Sequence, residues 1–242
     1  MVTSRDKAIF RFLFEQKVAS QESIHNRFFS GKSNEACIKR MQMLFKCDFV
    51  KKINVPIIDR YRVIYSLTEK SFRLIKDGLS LNGNETRLKS DSIEHDLELT
   101  KLRLVIEDFS KIVRVYPENY LQCCNLGEHE DALLPLKEIN ADAALLYRGK
   151  KGSFFLSFEY ERTLKQRSRY KEKLLDYYLD KEITAVLYLC KTRQIERVIR
   201  QVDNEYRKER ASKVYTLCHE EIQLPITCLP FTNLENATLV LE

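Results

Sequence analysis

The residues whose types and spacing stand out first are acidic. Glu159 and Glu161 lie two apart in the apolar run FFLSFEYE, so on a strand both side chains face the same way. Asp142, in the run INADAALLY, stands where a neighbouring strand would bring a third carboxylate beside them. Three carboxylates crowded on one face repel each other and need a cation, protonation or a nearby base. Two bases follow, Arg167 and Lys171, which at helical spacing share a side with Leu164, Leu174, Leu175 and Tyr178. A base on that side reaches Glu159 or Glu161 and either neutralises them or serves as the lysine of a hydrolytic site. Filling the first role leaves no group to activate water, and hydrolysis needs one.

A second set of candidates is basic and lies near the start. Residues 1–70 hold 14 Lys/Arg against 7 Asp/Glu, whereas residues 71–242 hold 27 against 28, so the net charge of +6 belongs to the N-terminal segment. A concentrated basic surface attracts polyanions through counterion release, which points to nucleic acid. Ser33 is the expected N-cap of a helix running to about Lys46, with Cys37, Met41, Leu44 and Phe45 inward. The opposite face carries Glu35, Lys39, Gln42 and Lys46, with Arg40 at its border and Lys32, Ser33 and Asn34 at its start. Lys39, Gln42 and Asn34 have donor groups suited to base edges, and Arg60 and Arg62 are placed to meet phosphates from a hairpin bend.

The elements that must position these residues follow from periodicity and caps. Residues 4–16 read as a helix with Ala8, Ile9, Phe12 and Leu13 on one face, and Ser20 caps a short helix carrying Ile24 and Phe28. After the Ser33 helix, residues 48–55 and 61–67 read as a hairpin, and Thr68 caps a closing helix, 69–76. Helix, helix, helix, hairpin, helix over residues 1–78 predicts a winged helix-turn-helix that sets one helix in the major groove of duplex DNA. Glycine, asparagine and small polar residues make 79–91 a linker. In the second domain, 92–242, the expected order is helix 91–110, strands 112–116, 139–147 and 154–161, helix 164–179, strand 184–190, helix 194–210 and strand 213–218. Residues 126–138 read as an acidic loop, the tail after Leu224 carries two prolines and few charges, and Gly149 to Gly152 read as a hairpin turn. Helices alternating with apolar strands imply an α/β sandwich around a mixed sheet.

The Asp142 run, the Glu159/Glu161 run and the helix with Lys171 and Tyr177 resemble the core of the PD-(D/E)XK nuclease-like superfamily. With the winged helix in front and Glu94-His95-Asp96 on the linking helix, residues 1–210 are similar to the replication-relaxation family of plasmid and mobile-element proteins. The resemblance implies that Asp142 and Glu159 would hold a divalent cation such as Mg²⁺, with a lysine two positions after the acid. That position is Glu161, so the expected domain lacks the standard catalytic set. The function expected is a sequence-specific DNA-binding regulator or plasmid replication or mobilisation factor, with no cofactor. The rivals are a metal-dependent endonuclease using Asp142, Glu159, Glu161 and Lys171, and a scaffold that recruits another enzyme.

Other residues narrow the classes. Seven cysteines, with no C-x-x-C pair, read as reduced thiols, and His25, His95, His129 and His219 are too scattered for a metal cage. His95, beside Asp96, reads as a hydrogen-bonded structural residue. No run reaches the roughly 18 apolar residues of a membrane span, and MVTSRDKAIF lacks a secretory signal's apolar core. The expected location is the cytoplasm and the expected assembly a homodimer, since one reading helix covers only a short half-site.

Overall fold

A computed structural model of the chain describes residues 1–53, 63–81, 88–207, 210–222 and 224–242. The fold is of the mixed α+β kind and divides into two compact units, Met1–Leu102 with Cys123–Asn125, and Arg103–Gln122 with Leu126–Glu242.

In the first unit, α1 (Ser4–Gln16) begins with a capping box. The Thr3 side chain accepts from the Asp6 N–H, while the Asp6 carboxylate accepts from the Thr3 N–H at 2.6 Å. After β1 (Val18–Ser20), Ser20 caps α2 (Gln21–Phe28) and Ser33 caps α3 (Asn34–Lys46). The strands β2 (Val50–Ile53) and β3 (Ile64–Leu67) follow, and Thr68 caps α4 (Glu69–Ile75). All three strands form an antiparallel sheet in the order β1-β3-β2. Ile9, Phe10, Leu13, Ile24, Met41 and Leu44 are fully buried beneath it. β1 is three residues long, too short to show alternation, and sequence reading passes over it as a break between helices. Phe45, expected inward, is 48% exposed, because the stripe Cys37, Met41, Leu44 already fills the buried face of α3. The expected hairpin bend with Arg60 and Arg62 lies outside the described residues, as do residues 82–87 of the expected linker.

The division between the two units falls within the next helix, α5 (Ile93–Glu107). Its first turns belong to the first unit because Leu97 packs with Val18 and Ile64, and the Thr100 hydroxyl donates to the Val18 carbonyl at 3.4 Å.

The second unit continues with β4 (Ile112–Pro117), α6 (Glu118–Cys123) and α7 (Glu130–Glu138). The hairpin β5 (Ala143–Gly149) and β6 (Gly152–Glu161) turns through Lys150 and Lys151, with Gly152 at φ +137°, a value that favours glycine. Then come α8 (Arg167–Leu179), β7 (Val186–Cys190), α9 (Arg193–Arg207) and β8 (Val214–Cys218). Finally β9 (Leu229–Thr232) and β10 (Thr238–Leu241) complete a seven-stranded sheet, β10-β9-β8-β7-β6-β5-β4. β6, β7 and β8 run parallel, joined by α8 and α9, and the flanking pairs are antiparallel. Every residue of β7 is buried, as suits a central strand covered on both faces. The sheet curls until its ends meet: the Lys111 N–H beside β4 donates to the Glu242 carbonyl after β10 at 3.1 Å. One expectation of loop, over residues 126–138, is corrected here. α7 forms because Leu133 and Leu136, three apart, bury one helical face, and the tail forms β9 and β10 because Leu229, Phe231 and Leu241 close the sheet's core.

Candidate functional site

On the first unit, the Ser33 cap fixes where α3 starts and therefore which side chains its outer face presents. The Ser33 hydroxyl accepts from the Ala36 N–H at 3.3 Å, so its role in the structure is that of a cap. Lys32, Asn34, Lys39, Gln42 and Lys46 are all exposed, and Lys39, Gln42 and Lys46 fall three and four residues apart on one face. Lys39 and Lys46 pair with no carboxylate among the described residues, nor do Lys51 and Lys52, exposed on β2 and not singled out by the sequence reading.

Arg40 differs from its neighbours. Its Nε donates to Asp6 Oδ1 at 2.8 Å, its Nη2 reaches Asp6 Oδ2, and Nη2 also donates to the Met1 carbonyl at 3.2 Å. Asp6 is fully buried, which alone would raise its carboxyl, but Arg40 and Thr3 hold it below its ordinary value. Arg40 was expected at the border of the DNA face, and the structure gives it to the anchoring of α3 on α1 instead.

On the second unit, the strand register brings the three carboxylates together as their spacing implies. Glu159 and Glu161 occupy one face of β6, each 2% exposed. Asp142, just before β5, accepts from the Tyr160 N–H through Oδ2 at 2.8 Å. The bases that meet them are not those expected. Lys171 and Arg167 both turn to Glu205 on α9, Lys171 at 3.1 Å, because they lie on the flank of α8 that faces α9. Lys173, on the other flank, sits 2.6 Å from Glu159 Oε2 and also donates to the Asn140 carbonyl. Lys165, in the turn before α8, sits 2.8 Å from Glu161 Oε1. Tyr177 donates its hydroxyl to Glu159 Oε1 and is 2.6 Å from the Ser157 hydroxyl.

Burial sets the protonation chemistry of this cluster. Desolvation pushes the Glu159 carboxyl up to about 7 against the pull of Lys173, and raises Glu161 against the pull of Lys165. Glu159, Asp142 and Glu161 together hold Lys173 charged, above its ordinary value, despite its burial. Two buried carboxylates and two ammonium groups thus form a compensated polar layer between α8 and the sheet.

The divalent cation implied by the resemblance would have to compete for carboxylate oxygens that already have partners. Both Glu159 oxygens, one Glu161 oxygen and one Asp142 oxygen are already engaged, two of them by ammonium groups that an ion would have to displace. Glu161 Oε2 is buried and without a hydrogen-bond partner among the described residues. Among the described residues no three His, Cys, Asp or Glu are grouped to hold a metal ion. His95 lies apart, with Nδ1 3.3 Å from Asp96 Oδ1.

Of the six bases from Arg162 to Lys173, four are held by carboxylates. Lys165, Arg167, Lys171 and Lys173 are all ion-paired within the second unit.

Among the described residues no helix is long and apolar enough to cross a membrane. Comparison with known proteins gives no match: no family model, no curated protein and no solved structure corresponds to the chain.

Proposed function

We propose that the chain binds double-stranded DNA through the outer face of α3, with the first unit acting as a winged helix-turn-helix. The observation that carries this reading is the exposed row of Asn34, Lys39, Gln42 and Lys46 on a capped helix, whose lysines pair with no carboxylate among the described residues. It stands in the segment that holds the whole positive excess of the chain. The second unit is read as a PD-(D/E)XK-like domain, of the replication-relaxation kind, whose carboxylates have become a structural polar layer. The role is then regulatory: a dimer that represses its own promoter or organises a plasmid origin.

The experiment is a salt titration of full-length protein on duplex DNA from the gene's own upstream region. Each lost phosphate contact should flatten the log–log salt dependence by about 0.9. Lys39→Ala with Lys46→Ala should therefore weaken binding to all sequences, and Gln42→Ala should blur sequence preference by about 1–3 kcal/mol. Unchanged affinity and unchanged salt slope in the lysine double variant would refute the reading.

One observation favours a second reading, an endonuclease. Lys173, supplied by α8, meets Glu159 at 2.6 Å where the strand itself offers Glu161 in place of a lysine. Nicking of supercoiled plasmid by wild type with Mg²⁺ or Mn²⁺, lost in both Asp142→Ala and Lys173→Ala, would establish it over the structural role.

A further inference from the structure

A cleft of about 1100 Å³ opens between α9 and the strands β8 to β10, away from the carboxylate cluster. Its wall is one face of α9 from Arg193 to Asn204, about 16 Å of helix. Its floor is lined by Pro230 and Leu234 beside Thr216, Thr232 and Thr238.

The charges along the wall do not cancel. Glu196, almost buried, accepts from Arg200 Nε at 3.2 Å and from the Thr216 hydroxyl at 2.9 Å through Oε1, and from Arg193 at 3.1 Å through Oε2. Glu221 is engaged by the other arm of Arg193. Arg200 is fixed further by the Thr232 hydroxyl at 2.6 Å and the Thr232 carbonyl at 3.1 Å. Both acids are thus matched by arginines, and Arg197, exposed midway along the wall, pairs with no carboxylate among the described residues.

Two amides stand beside it. The Gln201 oxygen accepts from Arg167 at 3.1 Å and the Asn204 oxygen from Arg207 at 3.4 Å, so an arginine occupies one acceptor position of each amide while its NH₂ donors remain to be used. A surplus guanidinium flanked by two amide donors, above the side chains of Pro230 and Leu234, recognises an anion attached to an apolar body.

We propose that this cleft binds a small organic acid, its one anionic group, phosphate ester or carboxylate, on Arg197, Gln201 and Asn204 and its apolar body over Pro230 and Leu234. Binding is read with no DNA present, so the outcome is independent of the function proposed for the first unit.

The test is calorimetric titration of the full chain with 1-naphthyl phosphate and with indole-3-acetate, each against its uncharged partner, 1-naphthol and indole-3-acetamide. At least one acid should bind with a Kd below about 1 mM, and its uncharged partner at least about tenfold more weakly. Which acid wins distinguishes a phosphate ester from a carboxylate. Arg197→Glu, at an exposed position, should lose at least about tenfold in affinity, a difference of about 1.4 kcal/mol. Thr238→Trp, which fills the cleft from an exposed position on β10, should abolish binding while melting stays as in wild type. Failure of both acids to bind at about 10 mM overturns the proposal, as does equal binding by Arg197→Glu. Tighter, Arg197-dependent binding of a decathymidylate strand overturns it in favour of a nucleic-acid groove.

Discussion

Replacing Glu159 by Gln should change how stability depends on pH, and the sign and size follow from its burial. The carboxyl is raised from 4.5 to about 7, chiefly by desolvation, with Lys173 pulling the other way. A group raised in the folded state contributes stability that is fully present below its unfolded value and is lost as pH rises through its folded value. The window is therefore pH 4.5 to about 7. At roughly 1.4 kcal/mol per tenfold change in proton affinity, wild type should lose about 3 kcal/mol across it, and Glu159→Gln should lose none of that share. Urea denaturation at pH 4.5, 5.5, 6.5 and 8 gives the gap directly. Tyrosine emission is a suitable probe, because the chain has no tryptophan and ten of its 12 tyrosines lie in the second unit. A gap between wild type and Glu159→Gln that stays constant from pH 4.5 to 8 would refute the argument that burial, and not the ion pair, governs this carboxyl.

Three further outcomes separate structural from surface roles. Lys173→Met should destabilise the second unit by about 3 kcal/mol at pH 8, where Glu159 loses the ion pair that offsets its burial, and by less at pH 5, where the carboxyl is already protonated in wild type. Denaturation at the two pH values checks this. Lys171→Ala, by contrast, removes a pair whose members are 42% and 45% exposed and should change stability by under about 1 kcal/mol in the same assay. Arg40→Ala leaves the buried Asp6 without its counterion and should lower stability by about 3 kcal/mol, read as a drop in melting temperature. An unchanged melting temperature would return Arg40 to the exposed row of α3.

The difference between Lys171 and Lys173 shows where the sequence stopped being legible. Element types were readable wherever apolar periodicity and caps agreed: Ser20, Ser33 and Thr68 cap the helices they were expected to cap, and the FFLSFEYE run is the strand that aligns Glu159 with Glu161. The carboxylate face needed only the two-residue period of a strand. The partner of that face needed the rotational phase of a helix, and on α8 the phase inferred from the leucines is displaced. Leu164 precedes the helix and Leu175 is 39% exposed, whereas the buried stripe is Tyr170, Leu174, Tyr177 and Tyr178. At roughly 100° per residue, that stripe sets Lys173 on the flank of Tyr177 and Lys171 on the flank of Tyr178, on opposite sides of the helix's inner line. Tyrosine is ambiguous to a hydropathy reading because its ring is apolar and its hydroxyl needs a partner. Here the partners are supplied by tertiary structure: Glu159 and Ser157 for Tyr177, Asp203 for Tyr178, and the Lys165 N–H, which donates to the Tyr170 oxygen. Those partners lie up to 25 residues away in sequence, so no local window contains the reason the tyrosines turn inward. The same buried acids that draw the tyrosines in therefore choose the lysine. The ionic layer was visible in the sequence as a need for positive charge, and which residue meets that need was decided by hydroxyl groups.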